Sequence, residues 1–331
     1  MKKISFIILT ILILIIFLKQ DVFSNNKENL NNYKNTIEEI TSILVNKYKV
    51  DEEYVKEAIG SIKIRQKTLD AMNNAAESNL TWEKYQGIFL KKKRIERGII
   101  YHKNNYKILK EIESKYGVPS EVIVAILGVE TWYGKGTGKV KVLDSLGTLA
   151  LMHPRRSKLF KSQLISFIVL SYRNNLNYRE IYGSYAGAMG VPQFMPESYI
   201  KLGVDYDKDG KVDLWNSKYD IFASVANYLN KRGWKKNNRI YSDIVIREEY
   251  INDIFKNGDV KTVVIDNDKL KKILVDSRSI GPGKKYLALL SKKNKKYKLV
   301  HNNFKVIMTY NISTFYAMVV TKLSDRIKLG K

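Results

Sequence analysis

Cysteine is absent from the 331 residues. That excludes disulfides, Cys-ligated zinc, a thiol nucleophile and lipid attachment to an N-terminal cysteine. Histidine is nearly absent: His102, His153 and His301 are scattered without ligand spacing, which weighs against a His-dependent triad or a zinc hydrolase. Acidic residues are the minority, 33 against 58 Lys and Arg, and the resulting charge of +25 favours anionic partners: nucleic acid, an anionic membrane face or a carboxylate-bearing cell wall. The basic residues come only in short clusters such as Lys91–Lys92–Lys93–Arg94, so charge by itself assigns no partner. No recognition helix, finger or stacking-sheet motif is present, and a nucleic-acid partner is not expected. Internal repeats are lacking as well.

The one long apolar run, Ile4 to Leu18 with Ser5 and Thr10 as interruptions, follows Lys2 and Lys3. It is short for a membrane span and reads as the h-region of an export signal. Val22 and Ser24 suit positions −3 and −1 of a cleavage site, so residues 1–24 read as a signal peptide or an uncleaved N-terminal anchor, and the chain as exported to the periplasm. A polar linker is expected over 25–35, a helical region over 36–234, a small strand-containing insert over 235–309 and a closing helix over 310–331. The fold class is therefore mainly α, with α+β character in the insert, where alternation predicts strands at Val260–Ile265, Tyr286–Leu290 and Phe304–Tyr310.

The helical region is organised around Pro119–Trp132, PSEVIVAILGVETW. Ser120 can cap a helix here, and Ile123, Ile126, Leu127 and Glu130 share one stripe at i, i+3, i+4 and i+7. A stripe facing the core thus ends in a carboxylate. Burial of an unpaired carboxylate is costly and is relieved by a raised pKa, which suits a general acid. Pairing of Glu130 with a buried Arg or Lys, or capping of a neighbouring helix, satisfies the same pattern.

Helical spacing of apolar residues also predicts helices over Asp51–Lys67 (Tyr54, Val55, Ala58, Ile59, Ile62), Asp220–Trp234 (Ile221, Val225, Tyr228, Leu229) and Ser313–Leu323 (Phe315, Tyr316, Val319, Val320, Leu323). Other segments have their own chemistry. Tyr133–Gly138 (YGKGTG) matches no phosphate-binding loop and reads as a flexible turn. His153-Pro154-Arg155-Arg156 opens another helix, with an arginine pair suited to carboxylates. Tyr182–Tyr199 interleaves glycines and prolines with Ser184 and Gln193, allowing close backbone approach. Asp205, Asp207, Asp209 and Asp213 occupy positions 1, 3, 5 and 9 of an EF-hand-like loop with Gly210 at position 6. Position 12 is Asn216 instead of Glu, and Asp220 is the substitute; Asp205, Asp207, Asp209, Lys211 and Asp220 are the candidate calcium ligands. An Asp/Gly-rich turn without metal explains the same residues.

Taken in order, GVETWYG (Gly128–Gly134), LDSLGTLA (Leu143–Ala150), PRR (Pro154–Arg156), YAGAMGVPQFMPESY (Tyr185–Tyr199), the DxDxDG loop, SVANYL (Ser224–Leu229), RGW (Arg232–Trp234) and YNISTFYAM (Tyr310–Met318) resemble the membrane-bound lytic transglycosylase B family, which cleaves peptidoglycan. The resemblance spans roughly Tyr85 to Leu323 and is weakest across Lys235–Lys305. It implies a lysozyme-like catalytic domain whose acid/base is Glu130. That residue first protonates the bond between N-acetylmuramic acid and N-acetylglucosamine, then activates the muramyl 6-hydroxyl to close a 1,6-anhydro ring. It implies substrate contacts from Ser184 and Gln193, from Tyr310, Asn311 and Tyr316, from Tyr85 as a groove wall, and from Arg155 and Arg156 toward lactyl or peptide carboxylates. For each tyrosine, core packing is the competing reading. Asp144, the nearest second carboxylate, reads as structural. No cofactor is required for this chemistry, calcium is at most structural, and the partner is the glycan strand. A lysozyme-type hydrolase and a non-catalytic wall- or calcium-binding module are the alternatives.

Overall fold

The computed structural model describes residues 27–73, 80–255, 261–276, 283–291 and 293–330. The expected signal or anchor at 1–24 lies outside them. From the N-terminus run α1 (Lys27–Ser42, continued by a π-helical turn at Ile43–Lys47), α2 (Glu52–Gly60), α3 (Gln66–Asn73), α4 (Trp82–Phe89), α5 (Lys92–Asn104), α6 (Tyr106–Tyr116) and α7 (Ser120–Thr131). Next come β1 (Val140–Lys141), α8 (Val142–Met152), α9 (Ser157–Arg173), β2 (Tyr182–Gly183), α10 (Pro196–Leu202) and α11 (Lys218–Lys231). The last third contains β3 (Tyr241–Ser242), α12 (Glu248–Phe255), β4 (Lys261–Ile265), α13 (Asn267–Ile273), β5 (Lys285–Ser291), β6 (Lys296–Val300), α14 (Asn302–Met308) and α15 (Thr314–Leu329). The fold is mainly helical, as the sequence predicts.

The chain divides into two compact units, each assembled from two stretches: Met1–Ala75 with Thr137–Lys201, and Ala76–Gly136 with Leu202–Lys331. This differs from the expected single region over 36–234. The boundary at 136/137 follows the turn after α7 and the boundary at 201/202 falls at the last residue of α10, and neither carries a compositional mark.

In the first unit the expected linker is helical from Lys27. The reason is a spaced apolar row, of which Ile37, Ile40 and Leu44 are buried. The helical pattern read over 51–67 is broken after Gly60, because Asp144 accepts the Lys63 backbone N–H at 2.9 Å and Thr148 accepts that of Arg65 at 3.0 Å. Both acceptors sit on α8, whose Leu143, Leu146 and Leu149 form the core with Phe160, Leu164 and Phe167 of α9. β1 and β2 pair antiparallel, with Val140 opposite Gly183. A Cβ on Gly138, at φ +102°, would lie 1.9 Å from the Gly183 carbonyl oxygen, so only glycine admits this approach.

The second unit packs α15 against α7 and α5, with α14 against α15. The insert forms an antiparallel sheet in the order β3-β6-β5-β4. Val263 stands opposite Leu287, and the register runs from Lys261↔Leu289 to Ile265↔Lys285. Leu287, Leu289 and Leu299 of the sheet share a core with Ile251 of α12 and Leu270 and Ile273 of α13. Two of the three expected strands appear; Phe304–Tyr310 does not, since Asn302–Met308 is helical. Its buried Asn303, Phe304, Val306 and Ile307 follow helical spacing, which a seven-residue apolar run does not distinguish from alternation.

Candidate active site

The second unit holds Glu130 and the tyrosines. Helix α7 is buried on every side from Ser120 to Val129, so the single core-facing stripe read from sequence is too narrow a description. Ser120 is not a cap: it is the first helical residue, and its N–H is satisfied by Glu113 Oε2 at 3.1 Å, while its hydroxyl meets His102 Nε2 at 2.9 Å. Glu130 lies in the last turn and is half-buried. There the helix dipole presents carbonyl oxygens, which oppose an anion.

Glu130 is held from α15. Ser313 caps that helix by accepting the Tyr316 N–H, and this orients Tyr316, 2% exposed, so that its hydroxyl donates to Glu130 Oε1 at 2.6 Å. Burial first, then the charge of Glu130, pushes the Tyr316 phenol well above its ordinary value, so it stays protonated and keeps its hydrogen to donate to the carboxylate. Tyr310 lies parallel to Tyr316 with ring centroids 6.4 Å apart and meets Tyr228 at 4.8 Å. Burial and Glu130 raise the Tyr310 phenol likewise. Asn311 is exposed beside it in the turn before α15.

The chain leaves α7 through two consecutive left-handed residues, Trp132 (φ +54°) and Tyr133 (φ +61°). Each costs about 1–2 kcal/mol without glycine. They are held because Tyr133 fills space vacated by two glycines: a Cβ on Gly98 would lie 2.4 Å from the Tyr133 hydroxyl, and one on Gly128 2.6 Å from its ring. The hydroxyl donates to the Arg94 carbonyl at 2.9 Å. Arg94 itself is 7% exposed, its guanidinium stacked over Trp132 at 4.4 Å and Phe89 at 4.9 Å. The flexible turn read over Tyr133–Gly138 is therefore anchored at its start.

Tyr85 is corrected from groove wall to core. It is 2% exposed and packs on Phe89 and Phe315 at 4.9 and 5.5 Å. Sequence reasoning also missed Arg94, which was read as part of a surface cluster. Its spacing from Gly98 and His102, all buried on α5, was the available signal.

The first unit holds Ser184, Gln193, Arg155 and Arg156. Ser184 Oγ accepts the backbone N–H of Ala186 at 3.3 Å and of Ala188 at 3.0 Å, shaping its own turn. Gln193, at φ +53°, donates its amide to the carbonyls of Thr137 (3.1 Å) and Gly190 (2.9 Å). Arg155 and Arg156 are exposed, and both backbone N–H groups donate to His153 Nδ1 at 3.2 Å. His153–Arg156 is thus a turn ahead of α9 and not its first residues.

In the acidic loop of the second unit, carboxylate oxygens of Asp205, Asp207 and Asp209 lie within 4.8 Å of one another. Asp205 Oδ1 is buried without a hydrogen-bond partner, while Asp209 Oδ1 accepts the Lys211 N–H at 2.9 Å. Asp220 departs from expectation. Wholly buried, it accepts the Tyr206 and Asp213 N–H groups at 2.7 and 2.8 Å and so staples the loop, outside the three-carboxylate cluster. Burial nevertheless holds its carboxyl above the ordinary value.

The family model described as a transglycosylase SLT domain matches residues 32–325. Membrane-bound lytic murein transglycosylase B of Escherichia coli (strain K12) is 30% identical over 306 residues, 87% of this chain and 81% of that protein. The crystal structure of soluble lytic transglycosylase SltB1 from Pseudomonas aeruginosa is similar with a TM-score of 0.79 and 31% identity, covering 88% of this chain and 98% of the other. Escherichia coli lytic transglycosylase Slt35, solved in complex with calcium, gives 0.78 and 29%, with 89% and 93% covered.

Proposed function

This chain belongs to the transglycosylase SLT-domain family and has the lysozyme-like fold of the lytic transglycosylases; from that premise we propose how its own residues act. The enzyme is a lytic murein transglycosylase, and its substrate is the peptidoglycan glycan strand. Glu130, as the carboxylic acid, protonates the oxygen linking N-acetylmuramic acid C1 to N-acetylglucosamine, and the C1–O bond breaks. The resulting carboxylate takes the proton of the muramyl 6-hydroxyl, whose oxygen bonds to C1 and closes the 1,6-anhydro ring. No water is consumed, and Glu130 ends protonated as it began. The 2-acetamido group stabilises the developing positive charge, which removes the need for a second carboxylate. The observation that carries this reading is the attachment of Glu130 to Tyr316 at 2.6 Å in a site built of aromatic side chains.

Tyr316 is a positioning residue that fixes the carboxylate through one oxygen. Tyr310 and Asn311, half-buried and exposed, supply saccharide contacts. Ser184 accepts two amides and still has an O–H to donate to an acetamido carbonyl. Arg155 and Arg156 meet substrate carboxylates. Asp205, Asp207 and Asp209, with the unpartnered Asp205 oxygen among them, fit a hard cation, and calcium there is structural, neutralising the loop. Its removal by chelator lowers the melting temperature without altering the bond cleaved. The protein works outside the cytoplasm, released or anchored through its N-terminal segment. Among the described residues no helix is long and apolar enough to cross a membrane.

Mass spectrometry of muropeptides released from purified peptidoglycan tests the chemistry. Wild-type protein yields anhydromuropeptides that vanish with Glu130→Gln. Reducing-end products would mean hydrolysis, and no release by folded wild-type protein would mean a binding module.

A further inference from the structure

Two residues past Glu130, the chain contributes to a second feature of the same unit. Trp132, Tyr101 and the 58%-exposed Ile100 form the apolar part of a depression of about 660 Å³, and Lys93, Arg97 and Lys135 supply its charge. Glu130, Tyr310 and Tyr316 are not among its lining residues. Helix α5 provides one side, since 93, 97, 100, 101 and 104 recur at helical spacing; the turn after α7 provides the other. Its one acidic lining residue, Glu96, lies 3.8 Å from Lys92 in an ion pair. Lys93, Arg97 and Lys135 make no ion pair among the described residues.

Arg94 adds an independent observation. Its guanidinium lies over the Trp132 ring, with Nε and Nη1 buried and without hydrogen-bond acceptors. A buried cation with no carboxylate partner is expensive, and an anion brought to the neighbouring depression reduces that expense. An indole face beside an amide (Asn104) and guanidinium and ammonium donors suits a sugar ring bearing a carboxylate: the ring covers the aromatic face, and the carboxylate meets the cations.

We propose that this depression binds a carboxylate-bearing saccharide of the glycan strand, engaging its lactyl or stem-peptide carboxylate apart from the bond being cleaved. The assignment rests on the substrate class proposed above but not on turnover. It is therefore tested by binding in a Glu130→Gln background, where failure of the chemistry and failure of this site are separable.

The experiment is titration calorimetry of that protein with three probes: a glycan oligomer carrying stem peptides, the same oligomer stripped of peptide so that its lactyl carboxylates are free, and a neutral N-acetylglucosamine oligomer. Arg97→Gln with Lys135→Gln, both at positions with solvent access, should weaken binding of the carboxylated probes by about tenfold, with a loss that shrinks at high salt. Affinity for the neutral oligomer should not change. Loss confined to the stem-bearing probe assigns the peptide carboxylates, loss confined to the stripped probe assigns the lactyl carboxylate, and loss with both means that the site accepts either. Equal loss for all three probes, or no loss for any, overturns the proposal. So does loss of binding to phosphatidylglycerol vesicles with unchanged saccharide affinity, which would make the depression a membrane contact. Lys93→Gln, on the exposed side of α5, provides a second variant should the pair fail to fold.

Discussion

Asp144 and Glu130 are both carboxylates in apolar helices, one in each unit, and their surroundings use them in opposite ways. Asp144 is in the first turn of α8, where the helix dipole favours an anion; it accepts the Lys63 N–H at 2.9 Å and has the Arg65 guanidinium at 3.8 Å. It is 2% exposed. Glu130 is in the last turn of α7, where the dipole opposes an anion, and accepts the Tyr316 phenol hydroxyl. An acid in an apolar helix is therefore ambiguous. Position along the helix and the kind of donor separate the two: Asp144 anchors a loop, and in the function proposed above Glu130 carries the proton for the chemistry.

That contrast can be broken from either side. The largest effect is expected from Glu130→Gln, which should cut anhydromuropeptide release by about 10²–10⁴-fold while leaving urea unfolding of the protein nearly unchanged. A large stability loss there would make Glu130 a second Asp144. Asp144→Ala should do the reverse: a stability loss of about 1–3 kcal/mol in urea unfolding, because the Lys63 N–H loses its acceptor, with turnover per folded molecule preserved. Loss of turnover with unchanged stability would give Asp144 a catalytic part.

Tyr316→Phe removes only the donor to Glu130, and a kcat about tenfold lower with an unchanged KM is expected. A raised KM at constant kcat would place the hydroxyl on the substrate instead. The smallest effect is spectroscopic. Because burial and Glu130 hold the Tyr316 phenol well above 10, ultraviolet titration of tyrosinate below pH 10 should be the same in wild-type protein and in Tyr316→Phe. The hydroxyl is then protonated throughout the working range, so its deprotonation produces no alkaline loss of rate. A tyrosinate signal missing from the variant below that pH would contradict the buried geometry.

Much of this was legible because it is local. Apolar spacing marked α7, α11 and α15, alternation marked β4 and β5, and motif order pointed to the family. Reading failed where the determinant was a distant partner. The 51–67 helix was overextended because the atoms that stop it are on Asp144 and Thr148, 81 and 83 residues from their donors. Phe304–Tyr310 was read as a strand because a short apolar run fits either period. Tyr85 was read as a wall because its sequence carries no sign that Phe315 covers it. Asp220 was read as a ligand because spacing does not reveal that Tyr206 and Asp213 claim its oxygens.

By itself, the sequence determined the helical class, the acid at the end of a buried helix, the acidic loop and the family, since each is encoded by periodicity or ordered short motifs. Only the tertiary structure decided that Tyr316, 186 residues from Glu130, fixes the carboxylate, and that Arg94 lies beneath Trp132 and not in solvent. A hydrogen bond or a stacked cation exists only when two separate elements bring their atoms within a few ångströms. Spacing along one chain segment does not contain that distance.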